Sequence, residues 1–160
     1  MKVIKSLAVA AIAFFVAVVL ASPASAVAAK FHSATASVAN NGALVVSFDE
    51  RGLGNGDIDY TLTADATALY ACINGGGKHP QAANKESFED QVSGGGSFEA
   101  KNGRVVADLS AGPLLAPSFQ CPNGQRRVLA AVSYTNIVLT DTTNGTSVNV
   151  APVSRIFFTV

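Results

Sequence analysis

Several residue types are scarce in this sequence, and each scarcity counts against a class of function. The 160 residues include no tryptophan, so the exposed indole platform common in carbohydrate-binding sandwiches is absent. Eleven basic residues equal eleven acidic ones and form no basic patch, which gives nucleic-acid binding no electrostatic support. The two histidines, His32 and His79, lack an accompanying G-x-S-x-G nucleophile motif. These absences favour a non-catalytic protein that needs no cofactor.

The N-terminal segment has the three parts of a secretory signal peptide. Two lysines precede an unbroken apolar run at residues 7–21, and an Ala-Ser-Ala tripeptide ending at Ala26 supplies a cleavage site. A helix of about fifteen residues rises roughly 22 Å, which is shorter than the roughly 30 Å hydrocarbon core of a bilayer. We therefore predict a signal peptide at residues 1–26, cleaved after Ala26 or alternatively after Ala28, and one mature domain at residues 27–160.

Removing the predicted signal peptide changes the properties that bear on partners. Both of its lysines leave with it, so nine basic residues face eleven acidic ones and the mature net charge is −2. No later segment is apolar for long enough to span a membrane as a helix. We therefore expect a secreted protein, extracellular or associated with the cell wall. Its partner would be an extracellular protein or polymer, with no membrane or nucleic-acid partner.

The two cysteines, Cys72 and Cys121, both belong to the mature domain. An even number of cysteines in a secreted protein favours a disulfide over two buried free thiols. The bridge would close a loop of about 50 residues, worth roughly 4 kcal/mol in the chain-entropy model. Two cysteines this far apart lack the paired spacing of a zinc site. The sequence therefore predicts one disulfide between Cys72 and Cys121.

Asparagine-glycine pairs dominate the turn signals of the mature chain. Six of the ten asparagines precede a glycine. Asn-Gly suits a type I′ turn, whose two central residues need positive φ and whose twist matches a β-hairpin. The chain is thus expected to consist largely of hairpins. The six pairs begin at Asn41, Asn55, Asn74, Asn102, Asn123 and Asn144.

The hairpin with the strongest pattern surrounds Asn102-Gly103. A two-residue loop there would pair Lys101 with Arg104 and set Phe98 against Ala107. One face of this hairpin would be apolar and the other polar, so a slip of one residue would bury charges. We therefore predict continuous pairing of the two flanking strands.

Two further Asn-Gly pairs also predict hairpins. Asn144-Gly145 would pair Leu139 with Val150 across a two-residue loop. Asn41-Gly42 would join residues 35–39 to residues 44–48 in a further hairpin. Each of these turns would connect strands that are neighbours in one antiparallel sheet.

Alternation of apolar and polar residues predicts the remaining strands. The pattern is clearest at residues 57–64 and continues at residues 69–73 and 155–160, whereas residues 82–90 hold at most one helical turn. Near Asn136 the alternation slips, which indicates a bulge or bend. Short strands separated by turn residues predict an all-β fold, an antiparallel immunoglobulin-like β-sandwich of about seven to nine strands with one disulfide.

Two glycine-rich segments are predicted to be open loops, at residues 74–81 and 93–96. Loops at the ends of a sandwich are where a binding surface is expected, and runs of three glycines would make these two mobile. The candidate binding residues are Asn74, Gly75, Gly76, Gly77, Lys78, His79, Gly94, Gly95 and Gly96.

Acidic residues suggest two further sites that the sequence favours less. Oxygen ligands from Asn55, Asp57 and Asp59 would suit a calcium ion, but a plain turn followed by a strand explains them better. A glycosidase would need a pair of carboxylates. The alternative is that the acidic residues form only a solvated strand face and a polar loop. The carboxylates available for such a pair are Asp57, Asp59, Glu86, Glu89 and Asp90.

The tripeptide Tyr70-Ala71-Cys72, preceded by Asp65 and Ala68, resembles the D-x-A-x-Y-x-C motif of the immunoglobulin fold. In that family the cysteine is the second of its pair and a tryptophan packs on the bridge. Here Cys72 is the first cysteine and tryptophan is absent. The resemblance therefore implies an immunoglobulin-like architecture without membership of the family.

Four segments, at residues 57–64, 70–78, 101–105 and 121–145, carry a second resemblance that covers most of the mature chain. They are similar to a group of small secreted proteins of filamentous microbes. No activity is assigned to that group, so the resemblance implies a fold and a compartment only.

The sequence therefore favours one function and leaves two alternatives open. The favoured function is a secreted, non-catalytic binding or structural module that acts through its glycine-rich loops. An alternative is an inhibitor that presents one of these loops, such as residues 74–81, to a secreted protease. The least favoured alternative is a small glycan hydrolase.

Overall fold

Long antiparallel strands make up most of the structure. The computed structural model describes residues 28–74 and 84–160, and within them the chain forms eight strands and no helix. The strands are β1 (Lys30–Val38), β2 (Leu44–Arg51), β3 (Gly56–Asn74), β4 (Lys85–Ala100), β5 (Arg104–Ala111), β6 (Gln125–Asp141), β7 (Thr146–Val150) and β8 (Val153–Ile156).

The strands form two antiparallel sheets. The short sheet has the order β1-β2-β5, and the long sheet has the order β4-β3-β6-β7, with β8 also paired to β6. The inner faces of the two sheets contribute to one apolar core. Within this core, the ring centroids of Phe48 in β2 and Tyr60 in β3 lie 4.7 Å apart. The predicted all-β fold with two packed antiparallel sheets is confirmed.

Strand β3 shows how an alternating sequence produces this arrangement. Ile58 and Tyr60 are buried in the core, whereas Asp59 between them is exposed. The strand predicted at residues 57–64 is therefore confirmed. No glycine or proline interrupts the chain after it, so it continues through the strand predicted at residues 69–73 as one strand of 19 residues.

The hairpin predicted at Asn41-Gly42 is confirmed. Strands β1 and β2 pair with each other, and Val38 lies opposite Leu44 at the end next to the turn. The amide of Ala39 donates a hydrogen bond to the carbonyl oxygen of Ala43 at 2.9 Å, which closes the connection.

The turn at Asn144-Gly145 joins β6 to β7, but with a register two residues away from the prediction. Leu139 pairs with Val148 instead of Val150. The carboxylate of Asp141 accepts hydrogen bonds from the backbone amide and the side-chain amide of Asn144, at 2.8 and 2.7 Å. These bonds stabilise a four-residue loop, and a shift of two residues keeps every side chain on its predicted face.

The turn at Asn102-Gly103 is present, but the long hairpin predicted around it is wrong. Lys101 and Arg104 form the predicted bridge, with N–O distances of 2.9 and 3.1 Å. Beyond this bridge β4 pairs with β3 and β5 pairs with β2, so Phe98 and Ala107 are not partners. Each strand buries its apolar face in a different sheet, and the turn forms a corner between the two sheets.

The predicted irregularity near Asn136 is confirmed as a bulge. Asn136 has a φ of 49°, and the register between β3 and β6 shifts between Thr63 and Asp65 on the facing strand. The side-chain amide of Asn136 donates to the carboxylate of Asp65 at 2.7 Å, which fixes the bulge to its neighbour. Asparagine tolerates this left-handed conformation better than most residues.

Two segments near the ends of strands differ in extent from their sequence patterns. Residues 85–90, part of a segment for which at most one helical turn was allowed, extend β4. The last strand, predicted at residues 155–160, is β8 and already ends at Ile156. It ends there because the next two backbone amides both donate to the carbonyl oxygen of Ala130.

The long sheet extends beyond the short sheet. Strands β3, β4 and β6 contain 19, 16 and 17 residues, whereas β1, β2 and β5 contain nine, eight and eight. Apolar side chains on the inner face of this extension, such as Tyr70 and Phe88, need another cover. The connection between β5 and β6 supplies it, and its packed side chains are Leu114, Ala116 and Phe119.

The outer face of the same extension carries a second, smaller core. The C-terminal residues Phe158 and Val160 pack against it together with Leu69. The long sheet is therefore apolar on both faces at this end. The buried members of the small core are Ala71, Ile73, Val128 and Ala130.

The predicted signal peptide, residues 1–26, lies outside the described residues, as does Val27. Over residues 28–74 and 84–160, no helix is long and apolar enough to cross a membrane.

Candidate functional site

The predicted disulfide is confirmed and lies at the extended end of the long sheet. It joins Cys72 near the end of β3 to Cys121 in the connection between β5 and β6, with an S–S distance of 2.06 Å. A bridge between these residues suggests an oxidising, extracellular type of environment. We call residues 112–124, which contain Cys121, the stapled loop.

Hydrogen bonds from the long sheet hold the backbone of the stapled loop. The Tyr70 hydroxyl donates to the carbonyl oxygen of Leu114 at 2.7 Å. The Arg127 guanidinium donates to the carbonyl oxygens of Ala116 and Phe119, the latter at 3.1 Å. A buried carbonyl without a partner costs free energy, so these side chains allow an irregular segment to lie on the sheet.

Aromatic and apolar contacts hold the stapled loop from inside. The side chains of Ala116 and Phe119 are buried. The Phe119 ring meets the Phe88 ring edge to face at 6.3 Å, and Phe88 meets Tyr70 at 6.0 Å in the same way. The guanidinium of Arg127 lies 5.9 Å from the centroid of the Tyr70 ring. The loop is thus bound to its sheet by covalent, polar and apolar contacts together.

The outer side of the stapled loop presents side chains to solvent. Leu115 is 68% exposed, although its neighbour Ala116 is buried. Pro117, Ser118 and Gln120 are exposed as well. A groove of about 480 Å³ lies beside them, between the loop and the start of β4. This surface is a candidate binding site, because a groove lies beside exposed side chains of an anchored loop.

The first glycine-rich segment predicted as a binding loop lies largely outside the described residues. Asn74 is exposed at the end of β3. Asn84, on the other flank, accepts a hydrogen bond from the amide of Cys72 at 3.1 Å. Both flanks therefore lie beside the disulfide and the stapled loop. The predicted residues Gly75, Gly76, Gly77, Lys78 and His79 lie outside the described part, and their binding role stays a prediction.

The second glycine-rich segment is not a loop, so that prediction is wrong. Gly94, Gly95 and Gly96 lie inside β4 and pair with residues 60–62 of β3. A Cβ atom on Gly94 would lie 1.9 Å from the backbone oxygen of Ser110 in β5. Glycine is needed here because β4 and β5, which belong to different sheets, approach each other closely. The glycines thus serve packing between strands.

The calcium candidate lies at the start of β3, and its binding role stays a prediction. Asp57 and Asp59 are exposed on β3, and Asn55 precedes that strand. The backbone of Asp59 bonds instead to Thr142 and Thr143, at 2.8 and 2.9 Å. Within residues 28–74 and 84–160, no group of three or more histidine, cysteine or acidic side chains could hold a metal ion.

The carboxylates predicted for a glycan hydrolase divide between two distant parts of the long sheet. Asp57 and Asp59 lie near the start of β3, whereas Glu89 pairs with Thr67 in the same strand. Eight residues separate Asp59 from Thr67, which corresponds to roughly 26 Å along a strand. Glycosidase carboxylates lie about 5–10 Å apart, so these two groups do not form such a pair. Glu86 and Asp90 belong to the same distant group as Glu89.

At the opposite end of the domain, Asp49 joins two arginines that face each other. Arg51 and Arg104 are cross-strand partners in β2 and β5, a position where two positive charges repel. Asp49 accepts hydrogen bonds from both, including 2.8 Å contacts to Arg51 Nη2 and Arg104 Nε. The bonds from Arg51, and then from Arg104, hold the pKa of Asp49 well below its usual range.

Next to this cluster, Glu50 places a carboxyl group in the interior. Its side chain is fully buried near Tyr60 and Asp141. Neither carboxyl oxygen of Glu50, nor the Tyr60 hydroxyl, makes a hydrogen bond within the described structure. Burial, and then the neighbouring Glu50, raise the pKa of Tyr60. Burial raises the pKa of Glu50 to about 7, and the negative charge of Asp141 contributes to this rise.

The stapled loop and Glu50 are the features that the sequence analysis missed. A signal existed for Glu50, because it occupies the next alternate position of β2 after Leu44, Val46 and Phe48, whose side chains face the core. For the stapled loop the signal was weaker, namely two prolines shortly before Cys121. Its contacts with Tyr70 and Arg127 depend on residues distant in sequence, which no local pattern reveals.

No protein-family model, curated protein or solved structure gives a significant match to this chain. The resemblance to secreted proteins of filamentous microbes stays a prediction. The candidate site is therefore defined by its geometry, as a disulfide-anchored loop with exposed side chains at one end of a two-sheet domain.

Proposed function

We propose that this protein is a secreted, non-catalytic module that binds an extracellular protein or polymer through its stapled loop. The N-terminal residues with the pattern of a signal peptide support secretion, and the disulfide supports an oxidising compartment. In this proposal the domain keeps the immunoglobulin-like architecture predicted from its sequence. Its disulfide differs from the immunoglobulin bridge, which joins the two sheets, because it joins β3 to a loop.

The observation that carries the proposal is the contrast between the two sides of the stapled loop. The inner side is held by the disulfide, Tyr70 and Arg127, while the outer side exposes Leu115, Ser118 and Gln120. A segment that is already ordered loses little conformational entropy when a partner binds. Rigid presentation of apolar and polar side chains is typical of a binding surface.

The positions of the carboxyl groups support a non-catalytic role. The predicted carboxylates of β3 lie far from those of β4, as described above. Glu50 and Asp141 lie closer together, but both side chains are fully buried and out of reach of a substrate. A general acid or base must come within hydrogen-bonding distance of the group it serves.

The proposal is tested by retention of the oxidised mature protein on immobilised peptidoglycan, chitin and cellulose, and on immobilised co-secreted proteins. The triple variant L115A/S118A/Q120A removes the exposed side chains of the stapled loop. We expect it to bind at least about tenfold more weakly than wild type, because a few central side chains carry most binding energy.

The variant V106A/S97A/Q91A is the matched control, since it removes one aliphatic, one hydroxyl and one amide side chain from exposed strand positions. It should bind like wild type. Equal binding by both triple variants, or no retention of wild type on any of these materials, would contradict the proposal.

A further inference from the structure

Leu115 is an exposed aliphatic side chain in the stapled loop. Among the large apolar residues that the structure describes, only Val106 and Ile156 are exposed to a similar degree. Those two lie in the regular strands β5 and β8. Leu115 alone of the three lies in an irregular segment, outside the regular strands.

The backbone carbonyls before and after Leu115 are both held from the interior. The Leu114 carbonyl oxygen accepts from the Tyr70 hydroxyl, and the Ala116 carbonyl oxygen accepts from the Arg127 guanidinium. Leu114 is partly buried and Ala116 is buried. Leu115 is therefore the exposed residue between two anchored neighbours.

Two prolines restrict the conformation of this segment further. Pro113 and Pro117 have φ fixed near −65°, and a residue before proline is biased towards an extended backbone. Ala116, which precedes Pro117, is such a residue. Extended peptide segments are the form in which many enzymes and receptors bind a chain, with alternate side chains entering pockets.

We propose that the stapled loop is a substrate-like inhibitory loop for a secreted serine endopeptidase whose primary-specificity pocket accepts a large aliphatic side chain. Leu115 occupies this pocket, and the bond between Leu115 and Ala116 lies at the catalytic serine. This inference rests on the proposed function, because it names the partner class of the same surface.

Because the chain is anchored on both sides of Leu115, the loop inhibits the enzyme and is not digested by it. Attack by the enzyme's serine Oγ forms a bond to the Leu115 carbonyl carbon, breaks the bond to Ala116, and transfers the serine proton through the enzyme's histidine to the Ala116 nitrogen. The side chain of Ala116 remains buried, and its carbonyl oxygen remains bonded to the Arg127 guanidinium. The new amino group therefore stays beside the acyl-enzyme, where it re-forms the peptide bond faster than water hydrolyses the ester.

The test measures inhibition constants of the oxidised mature protein against subtilisin, chymotrypsin and trypsin. We expect wild type to inhibit subtilisin or chymotrypsin and not trypsin. The variant L115R should lose roughly 100-fold or more against the first two enzymes and should inhibit trypsin, because the residue in the primary pocket decides the preference. The control V106R changes an equally exposed aliphatic residue in β5 and should behave like wild type.

The positioning role of Arg127 is tested by the same enzymes. Arg127→Met removes the donor to the Ala116 carbonyl and should turn the inhibitor into a substrate that is cut after Leu115. Arg126→Met changes the adjacent arginine, whose side chain lies on the other face of β6, and should leave inhibition unchanged. A merely structural role for Arg127 would lower thermal stability without accelerating cleavage at this bond.

The inference is overturned if the oxidised wild type inhibits neither subtilisin nor chymotrypsin, if it is turned over as an ordinary substrate, or if L115R fails to inhibit trypsin. Its failure is distinguishable from failure of the proposed function. Loss of retention by L115A/S118A/Q120A would still support a binding surface on the stapled loop when no protease is inhibited.

Discussion

At the scale of single residues, two consecutive acidic side chains of β2 respond to pH in opposite directions. The pKa of Asp49 is lowered by Arg51 and Arg104, so Asp49 stabilises the fold above its unfolded pKa, and this contribution is lost as the pH falls. The pKa of Glu50 is raised by burial from 4.5 to about 7. Its contribution is complete below pH 4.5 and is lost as the pH rises through 7. The two effects together favour mildly acidic conditions.

Between pH 5 and pH 8 we expect the free energy of unfolding to fall by about 2 kcal/mol because of Glu50. Asp49 remains ionised throughout this range, so it does not mask the effect. Urea unfolding at several pH values measures the change. Glu50→Gln should remove most of the pH dependence, since its amide does not titrate.

The control for this prediction is Glu99→Gln, because Glu99 is an exposed acidic residue of β4. It should keep the wild-type dependence on pH. A Glu50→Gln variant with an unchanged pH profile would show that Glu50 is not the titrating group. Glu50→Leu, which replaces the buried carboxyl by an apolar group of similar size, should be neutral or stabilising at pH 8.

At the scale of elements, β4 shows how a strand of one sheet closes on the other sheet. Gly94 and Gly96 face inward along β4, and an added Cβ atom would meet the Ser110 backbone or the Leu109 side chain of β5. Gly95, between them, faces outward and is exposed. The edges of β4 and β5 therefore shield each other without forming a ladder, which protects both from pairing with other chains.

Gly94→Ala should destabilise the domain by at least about 2 kcal/mol, because its Cβ atom would clash with backbone that cannot move aside. Gly95→Ala is the matched control, since its Cβ atom would come no closer than 3.5 Å to the Tyr60 carbonyl oxygen. It should change stability by less than about 1 kcal/mol. Thermal unfolding of the two variants measures the difference, and equal destabilisation would contradict the close approach of β4 and β5.

The elements also show what local sequence patterns could predict. Alternation correctly located the start of β3, and turn chemistry correctly located the bends at Asn41-Gly42 and Asn102-Gly103. Neither pattern identifies the partner strand. Phe98 was therefore predicted to pair with Ala107, whereas Phe98 pairs with β3 and Ala107 pairs with β2. The glycines of β4 were interpreted as a loop because the backbone of Ser110, which requires them, comes from a later strand.

At the scale of the whole molecule, the stapled loop takes the place of a sheet. The long sheet extends past the short sheet, and its inner face there is covered by Leu114, Ala116 and Phe119 instead of by strands. An irregular cover has few backbone hydrogen bonds of its own and depends on the disulfide and on Arg127. The candidate site was not predictable from local sequence, because it is produced by this mismatch in the lengths of the two sheets.

Removing the disulfide with the double variant C72A/C121A should lower the free energy of unfolding by about 2–4 kcal/mol. The loss should concentrate at the extended end, because Cys121 anchors the loop that covers it. Denaturant unfolding measures the total, and hydrogen exchange of residues 112–124 compared with β1 and β2 measures its location. Unchanged exchange in the stapled loop would contradict this role. The intact mass of the secreted protein before and after reduction reports the bridge and the cleavage site together.

The position of the disulfide also determines how far the domain can be stretched. Strands β1 and β8 lie near the two ends of the described chain and are both joined to their sheets by antiparallel ladders. The 49-residue separation between Cys72 and Cys121 stays closed even when everything outside it has unravelled. About 165 Å of contour length is thus withheld from extension. Residues 72–121, which include most of the stapled loop, would therefore stay covalently closed under a tension that unravels the strands outside them.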